Sequence, residues 1–242
     1  MRSPAQNVPR LMAVAHALGP LRERVVFVGG AVVNLYSTTP TGTPEPRITE
    51  DVDCLVEVAP RTAFYQLEDE LRRQGFVHDV ASGVICRWNY QGLTVDVMPT
   101  DPAILGFGNP WYAPGFTQAQ RYVLPDHTTI RLLSPVYFLG TKLVALRDRG
   151  WADLRVSQDL EDIVHLVDNR TELLAELAQA EDRVRTYIQE QLRALLGHPV
   201  FAEALSWTLP YGADYTAQEV VYQRLRKLAG GDNQRTVIAP LQ

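Results

Sequence analysis

Cysteine is scarce. The 242-residue chain holds two, Cys54 and Cys86, each inside an apolar, strand-like run. Two thiols so placed do not make the framework of a disulfide-stapled fold, and they read as small core residues in a reducing compartment. Long hydrophobic runs are also missing, and none approaches the ~18 apolar residues of a membrane span. The short apolar segment after Pro9 puts Leu11, Val14 and Leu18 on one helix face, which fits an amphipathic helix better than a signal peptide. The expectation is a cytoplasmic protein with no membrane contact. Excess positive charge is absent too: the formal net charge is -5. Contact with a polyanion would therefore need a local basic patch or a bridging metal. No G-x-x-x-x-G-K-S/T, G-x-S-x-G or H-E-x-x-H occurs, so P-loop, hydrolase and zincin readings have no support. The five histidines (His16, His78, His127, His165, His198) show no metal-ligand spacing, and His165 reads as a packed helix residue.

What is present is ordinary globular material, 46% hydrophobic and 21% charged, enough for a sizeable core. After the first helix, "RVVFV" (24–28) reads as a buried strand and "GGAVVNLY" (29–36) opens a second helix. "STTPTGTPEPR" (37–47) is too rich in Thr and Pro for regular structure and reads as a loop. "EDVDCLVEV" (50–58) is a strand, and 60–75 an amphipathic helix with Phe64, Leu67 and Leu71 on one side. Residues 83–98 read as a β-hairpin around Asn89, Gln91 and Gly92. The Pro- and Gly-rich stretch 99–116 is expected to be mostly loop, its Phe107, Trp111 and Tyr112 pinning it to the core in preference to stacking a base or ribose. From Ser134 the pattern turns helical, with Ser at two N-cap positions, and ends in a Gly-containing tail expected to fray. This gives a mixed α/β part over 1–125 and a helical part over 126–242. Basic residues of the helical part (Arg183, Arg185, Arg193, Arg224, Arg226, Lys227) are interleaved with acids and read as a solvated face in preference to a groove for RNA.

Within the strand "EDVDCLVEV", Asp51 and Asp53 stand one residue apart where the chain turns apolar. Residues i and i+2 of a strand point the same way, so the two carboxylates project together while Val52, Cys54 and Val56 face the other side. In the hairpin's second strand, Thr94, Asp96 and Met98 share a face. If the strands are neighbours, Asp96 joins the pair. Three clustered carboxylates repel strongly unless a cation neutralises them. Mg²⁺ favours such oxygen ligands, and two ions ~3.5–4 Å apart would clamp both oxygens of an in-line phosphoryl displacement. The plainer alternative has Asp51 ending a strand and Asp53 paired with an arginine such as Arg47. The "FVGGAVV" stretch tilts the balance, because Gly29 and Gly30 let backbone N–H groups approach an anion. Arg47 and Arg87 can grip phosphates or simply pair with carboxylates.

Taken in order, "VGGAVV…RITEDVD…LTVDVM" resembles the polymerase-β-like nucleotidyltransferase superfamily, whose pattern is hG(G/S), Dh(D/E)h, then h(D/E)h. The R-x-T-x-D-x-D form (Arg47, Thr49, Asp51, Asp53) and the later "TKLVALRDRG…SQDLEDIVHL" are similar to AbiEii-like and MenT-like nucleotidyltransferases, which include toxins of toxin–antitoxin and phage-defence systems. The resemblance runs from about residue 24 to 170 and departs in one place, a longer interval between Gly30 and Asp51. It implies an α/β (α+β) core with a mixed sheet and a helical C-terminal part. It also implies an NTP such as ATP or CTP as co-substrate and Mg²⁺ as cofactor, two ions, with Mn²⁺ as a substitute. By position, Gly29, Gly30, Arg47 and Thr49 would contact the nucleotide, and Asp51, Asp53 and Asp96 would hold the metal. Asp96 would also help to deprotonate the acceptor hydroxyl, and Lys142 and Asp159 would complete the catalytic set, Lys142 offsetting phosphate charge. For Lys142 the bland alternative is a solvated helix charge, and for Asp159 a first-turn residue complementing the helix dipole.

The expected function is Mg²⁺-dependent transfer of an NMP to a tRNA 3′ end or a protein side chain, in a toxin with an antitoxin partner. Modification of a small molecule, as in antibiotic-adenylylating relatives, is the second reading. A catalytically silent binder of nucleotide or a protein partner is the third.

Overall fold

The computed structural model describes residues 7–39, 47–58, 61–209 and 215–231. The Thr/Pro-rich loop expected over 37–47 falls largely outside these residues, as does the expected frayed tail beyond 231.

A fully buried strand needs an apolar residue at every position, and β1 (Val25–Val28) has one. It sits inside a seven-stranded mixed sheet with β2 (Asp51–Val56), β3 (Val77–His78), β4 (Arg87–Tyr90), β5 (Leu93–Pro99), β6 (Gln120–Val123) and β7 (Thr129–Leu132). The strand order is β3-β4-β5-β2-β1-β7-β6. Strand β2 runs antiparallel to β1 and parallel to β5, while β1 runs parallel to β7. The β4–β5 hairpin turns through Gln91 and Gly92, both at positive φ (49° and 82°), the backbone that a tight two-residue hairpin loop requires. Helices α1 (Asn7–Ala17) and α2 (Arg61–Arg73) each bury one apolar stripe: Leu11 and Val14 on the first, Phe64, Leu67 and Leu71 on the second. On one face of the sheet Phe27, Cys54, Trp88, Val95 and Val97 are buried together, and Leu55 is buried on the other.

Three local outcomes differ from the sequence reading. The helix expected over 29–36 is a 3-10 helix, Gly30–Tyr36. Two adjacent β-branched residues, Val32 and Val33, disfavour a regular α turn there. The stretch 99–116 is not all loop: it contains α3 (Pro102–Leu105), capped by the Asp101 carboxylate accepting from the Ala103 N–H, and α4 (Tyr112–Thr117). Strands β6 and β7 add a hairpin that the sequence reading did not assign.

The chain divides into two compact units, one of Met1–Val33 with Arg47–Thr141, the other of Asn34–Pro46 with Lys142–Gln242. The whole sheet belongs to the first. The end of α5 (Pro135–Ala145) opens the second, followed by a π-helical turn (Leu146–Gly150) and α6 (Gln158–Asn169). Next come α7 (Leu173–Gln179), α8 (Asp182–Leu196), α9 (Phe201–Thr208) and α10 (Tyr215–Leu228). Its core joins Ile163 and Val167 of α6 with Ile188 and Leu192 of α8, Phe201 of α9 and Leu225 of α10. No helix among the described residues is long and apolar enough to cross a membrane.

Candidate active site

Register makes the site. The parallel pairing of β2 and β5 sets Asp53 beside Asp96 and Asp51 beside Thr94, and the pairing with β1 sets Val28 beside Asp53. Alternation along β2 then brings Asp51 to the same face as Asp53. One carboxylate oxygen from each of Asp51, Asp53 and Asp96 lies within 4.8 Å of the others, the one such cluster of potential metal ligands among the described residues. Asp96 is buried, and the other two are half-buried. A set of three carboxylates offers only hard oxygen donors, which fits Mg²⁺ or Mn²⁺ and not a thiolate-seeking metal.

The diglycine sits against this cluster. Gly29 has φ +73°, and a Cβ at that position would collide with the Asp53 carboxylate. Gly30 is equally confined: a Cβ there would meet Arg47 Nη2 at 2.5 Å and Thr49 Cγ2 at 2.7 Å. Only a residue without a side chain lets the β1 turn lie flush on the start of β2. Thr49 itself is buried, its hydroxyl donating to the Asp51 carbonyl at 3.1 Å. Asn7 of α1 donates to the Arg47 carbonyl (3.0 Å) and accepts from the Thr49 N–H (3.1 Å), and Arg10 also donates to the Thr49 carbonyl. Helix α1 thus fixes the approach to β2. The structure brings together Gly29, Gly30, Arg47, Thr49, Asp51, Asp53 and Asp96.

Arg87, for which the sequence left phosphate and carboxylate partners open, takes carboxylates. It stands opposite Asp96 across the β4–β5 hairpin. Its Nε donates to Asp96 Oδ1 at 2.9 Å and its Nη2 to Asp96 Oδ2 at 2.7 Å, a bidentate fork, with Nη2 also 3.4 Å from Asp51 Oδ2. The hydrogen bonds to Asp96 raise the guanidinium's proton affinity further. The fork uses one lone pair on each Asp96 oxygen and leaves the second free, so the cluster still fits a cation. Burial, reinforced by Asp96, pushes the Cys86 thiol up to about 11, and burial raises Cys54 as well; both are inert core thiols.

In the second unit, Lys142 is not a solvated charge. Its side chain is 7% exposed, and Nζ donates to Asp159 Oδ1 (3.1 Å) and Asp162 Oδ2 (2.6 Å). Burial works to lower the Lys142 pKa, but the two carboxylates outweigh it and hold the group above its ordinary value. Asp159 is gripped from its other side by Arg149, Nε to Oδ2 at 2.7 Å and Nη2 to Oδ1 at 2.9 Å. Burial works to raise its pKa, and the two cations hold it below the usual carboxylate range. Asp162 and Arg149 were missed from sequence. The signal for Asp162 was its place three residues after Asp159 on one helix face. Trp111 is buried, tilted towards Tyr137 with ring centres 6.3 Å apart, and half-buried Tyr112 donates its hydroxyl to the Met98 sulfur, whereas Phe107 is exposed, so Trp111 and Tyr112 pin the segment and Phe107 does not.

A mixed sheet whose central strands carry three converging carboxylates beside a strand–Gly-Gly turn is the arrangement expected of a nucleotidyltransferase. A family model described as "Nucleotidyl transferase AbiEii toxin, Type IV TA system" matches residues 10–227, and the chain belongs to that family. No curated protein matches the chain.

Proposed function

We propose that the protein transfers a nucleoside monophosphate from an NTP to an acceptor hydroxyl with Mg²⁺ as cofactor, and that it acts as the toxin of a toxin–antitoxin pair. The observation that supports this most directly is the convergence of Asp51, Asp53 and Asp96 within 4.8 Å beside Gly29. The acceptor oxygen attacks the α-phosphorus, the bond to the bridging oxygen breaks, and pyrophosphate leaves. The hydroxyl proton passes to a carboxylate of the cluster, Asp96 being the one that the family resemblance assigns. Asp51, Asp53 and Asp96 would hold the divalent ions, which when bound neutralise charge on the attacking and leaving oxygens. Gly29 and Gly30 would contact the triphosphate through their backbone, and Arg47, whose guanidinium packs against Gly30, would supply positive charge. Thr49 serves this set by fixing the β2 approach. Lys142 keeps the phosphate-offsetting role and Asp159 the catalytic role that the resemblance implies, the former tested by the KM for NTP in Lys142→Met. The acceptor classes are a tRNA 3′ end and a protein side chain, in the cytoplasm.

The test incubates the protein with each labelled NTP, Mg²⁺ and either cellular RNA or cellular protein. Label is expected in one pool, and none with Asp51→Asn/Asp53→Asn. Expression is expected to arrest growth, and the double variant to relieve the arrest. NTP binding with no label in any pool would overturn the transferase reading in favour of a silent binder.

A further inference from the structure

Arg87 already supplies a positive charge where the proposed divalent ions would sit. Three carboxylates and one guanidinium leave the cluster with a charge of about two negative units, and the guanidinium bridges the first and third carboxylates: 2.7 and 2.9 Å to Asp96, 3.4 Å to Asp51. We propose that Arg87 is a resident counter-cation of the carboxylate cluster: it holds Asp96 in place without metal, and its charge weakens divalent-ion binding. This rests on the metal-dependent reading given above.

Three observations carry it. The first is geometry. The fork uses both oxygens of Asp96 on the β4 side, with donors fixed by the hairpin register Arg87↔Asp96. The second is burial. Asp96 has a side chain only 10% exposed, and Arg87 one 27% exposed, so water screens their attraction less than at a surface pair. A buried carboxylate beside two others is costly unless partnered, and Arg87 is that partner. The third is the unequal reach of Nη2. Its contact with Asp51 is long and with Asp96 short, so an ion that claims Asp51 can displace the first without breaking the fork. Arg87 is therefore a positioning residue acting through Asp96, and its charge is repelled by any divalent ion sharing those oxygens.

The experiment measures Mn²⁺ binding to the full chain by EPR, without nucleotide, alongside thermal unfolding with and without the ion. Wild type, Arg87→Gln, Arg87→Lys and Asp53→Asn are compared. Arg87→Gln is expected to bind Mn²⁺ about tenfold tighter. It is also expected to unfold at lower temperature than wild type in EDTA and to recover more of its Tm on adding Mn²⁺. Arg87→Lys keeps the charge and should stay within about threefold of wild-type affinity. Should the glutamine variant not fold in EDTA, refolding it in Mn²⁺ still reads the same rescue, and the lysine variant carries the affinity comparison. Equal or weaker Mn²⁺ binding by Arg87→Gln, or tenfold tighter binding by Arg87→Lys, would overturn the counter-cation role while leaving the metal site standing. Mn²⁺ that binds neither wild type nor the variants, or that binds Asp53→Asn as well as wild type, would instead remove the metal reading and this inference with it.

Discussion

Single residues decide the site's geometry, and Gly29 is the least replaceable. At φ +73° any Cβ is strained, and here it would also strike the Asp53 carboxylate. Gly29→Ala should cost about 1–3 kcal/mol from the backbone alone. It should also push Asp53 out of the cluster, so that transfer activity falls far more than stability; denaturant unfolding and labelled-NTP transfer, measured together, read the two effects. Lys142 makes a second prediction. Removing it leaves Asp159 with Arg149 alone and takes from buried Asp162 its 2.6 Å contact with Lys142 Nζ, so Lys142→Met should cost about 3–5 kcal/mol in urea unfolding. The pH dependence has two edges. A lysine held above its ordinary value contributes fully below about pH 10 and loses its share as pH rises through the raised folded value. Asp159, held below, contributes above about pH 4 and loses its share as pH falls through the depressed folded value. The stability gap between wild type and Lys142→Met should therefore be flat from about pH 5 to 9 and shrink beyond both edges. At this scale Asp51, Asp53 and Asp96 were legible because alternation in strands is a local rule. The buried pairing of Lys142 with Asp159 was not, since the two residues lie 17 apart on different helices and burial follows from packing that no local pattern encodes.

Elements were legible where one period dominated a run. The stripe of Phe64, Leu67 and Leu71 announced α2, and Gln91-Gly92 announced the β4–β5 turn. Legibility failed where short segments depend on distant partners. Strands β6 and β7 are four residues each, and only their mutual pairing and that of β7 with β1 define them. The π-helical turn Leu146–Gly150 was equally hidden. It carries Arg149 to Asp159 and ends at Gly150, where a Cβ would collide with the Ser157 hydroxyl. That hydroxyl accepts from the Leu160 N–H and caps α6. Gly150→Ala should therefore displace the cap as well as crowd the turn, at about 1–3 kcal/mol. Ser157→Ala in the same background should then add less than the ~1 kcal/mol it costs alone, because the cap is already lost; a double-mutant cycle in urea measures this.

For the whole molecule, composition excluded more than it assigned. A net charge of -5 and two scattered thiols removed several classes without naming a reaction. The order of motifs along the chain and the sheet that assembles them carry the assignment. If the cluster holds Mg²⁺ in the folded state only, the ion should stabilise the protein by mass action. At ten times its Kd that is about 1.4 kcal/mol, or a rise of about 3–6 °C in Tm. The rise should vanish in Asp51→Asn/Asp53→Asn, and thermal scans in EDTA and in Mg²⁺ check it.

Because β2 lies between β1 and β5, the chemistry is divided among three strands that leave the ribosome at different times. A nascent chain that ends before residue 96 has no third acid. Sliding β5 by one position would replace Asp96 with Val95 or Val97 in the register opposite Asp53. A copy cut short before β5, or paired out of register, therefore lacks the assembled acid cluster.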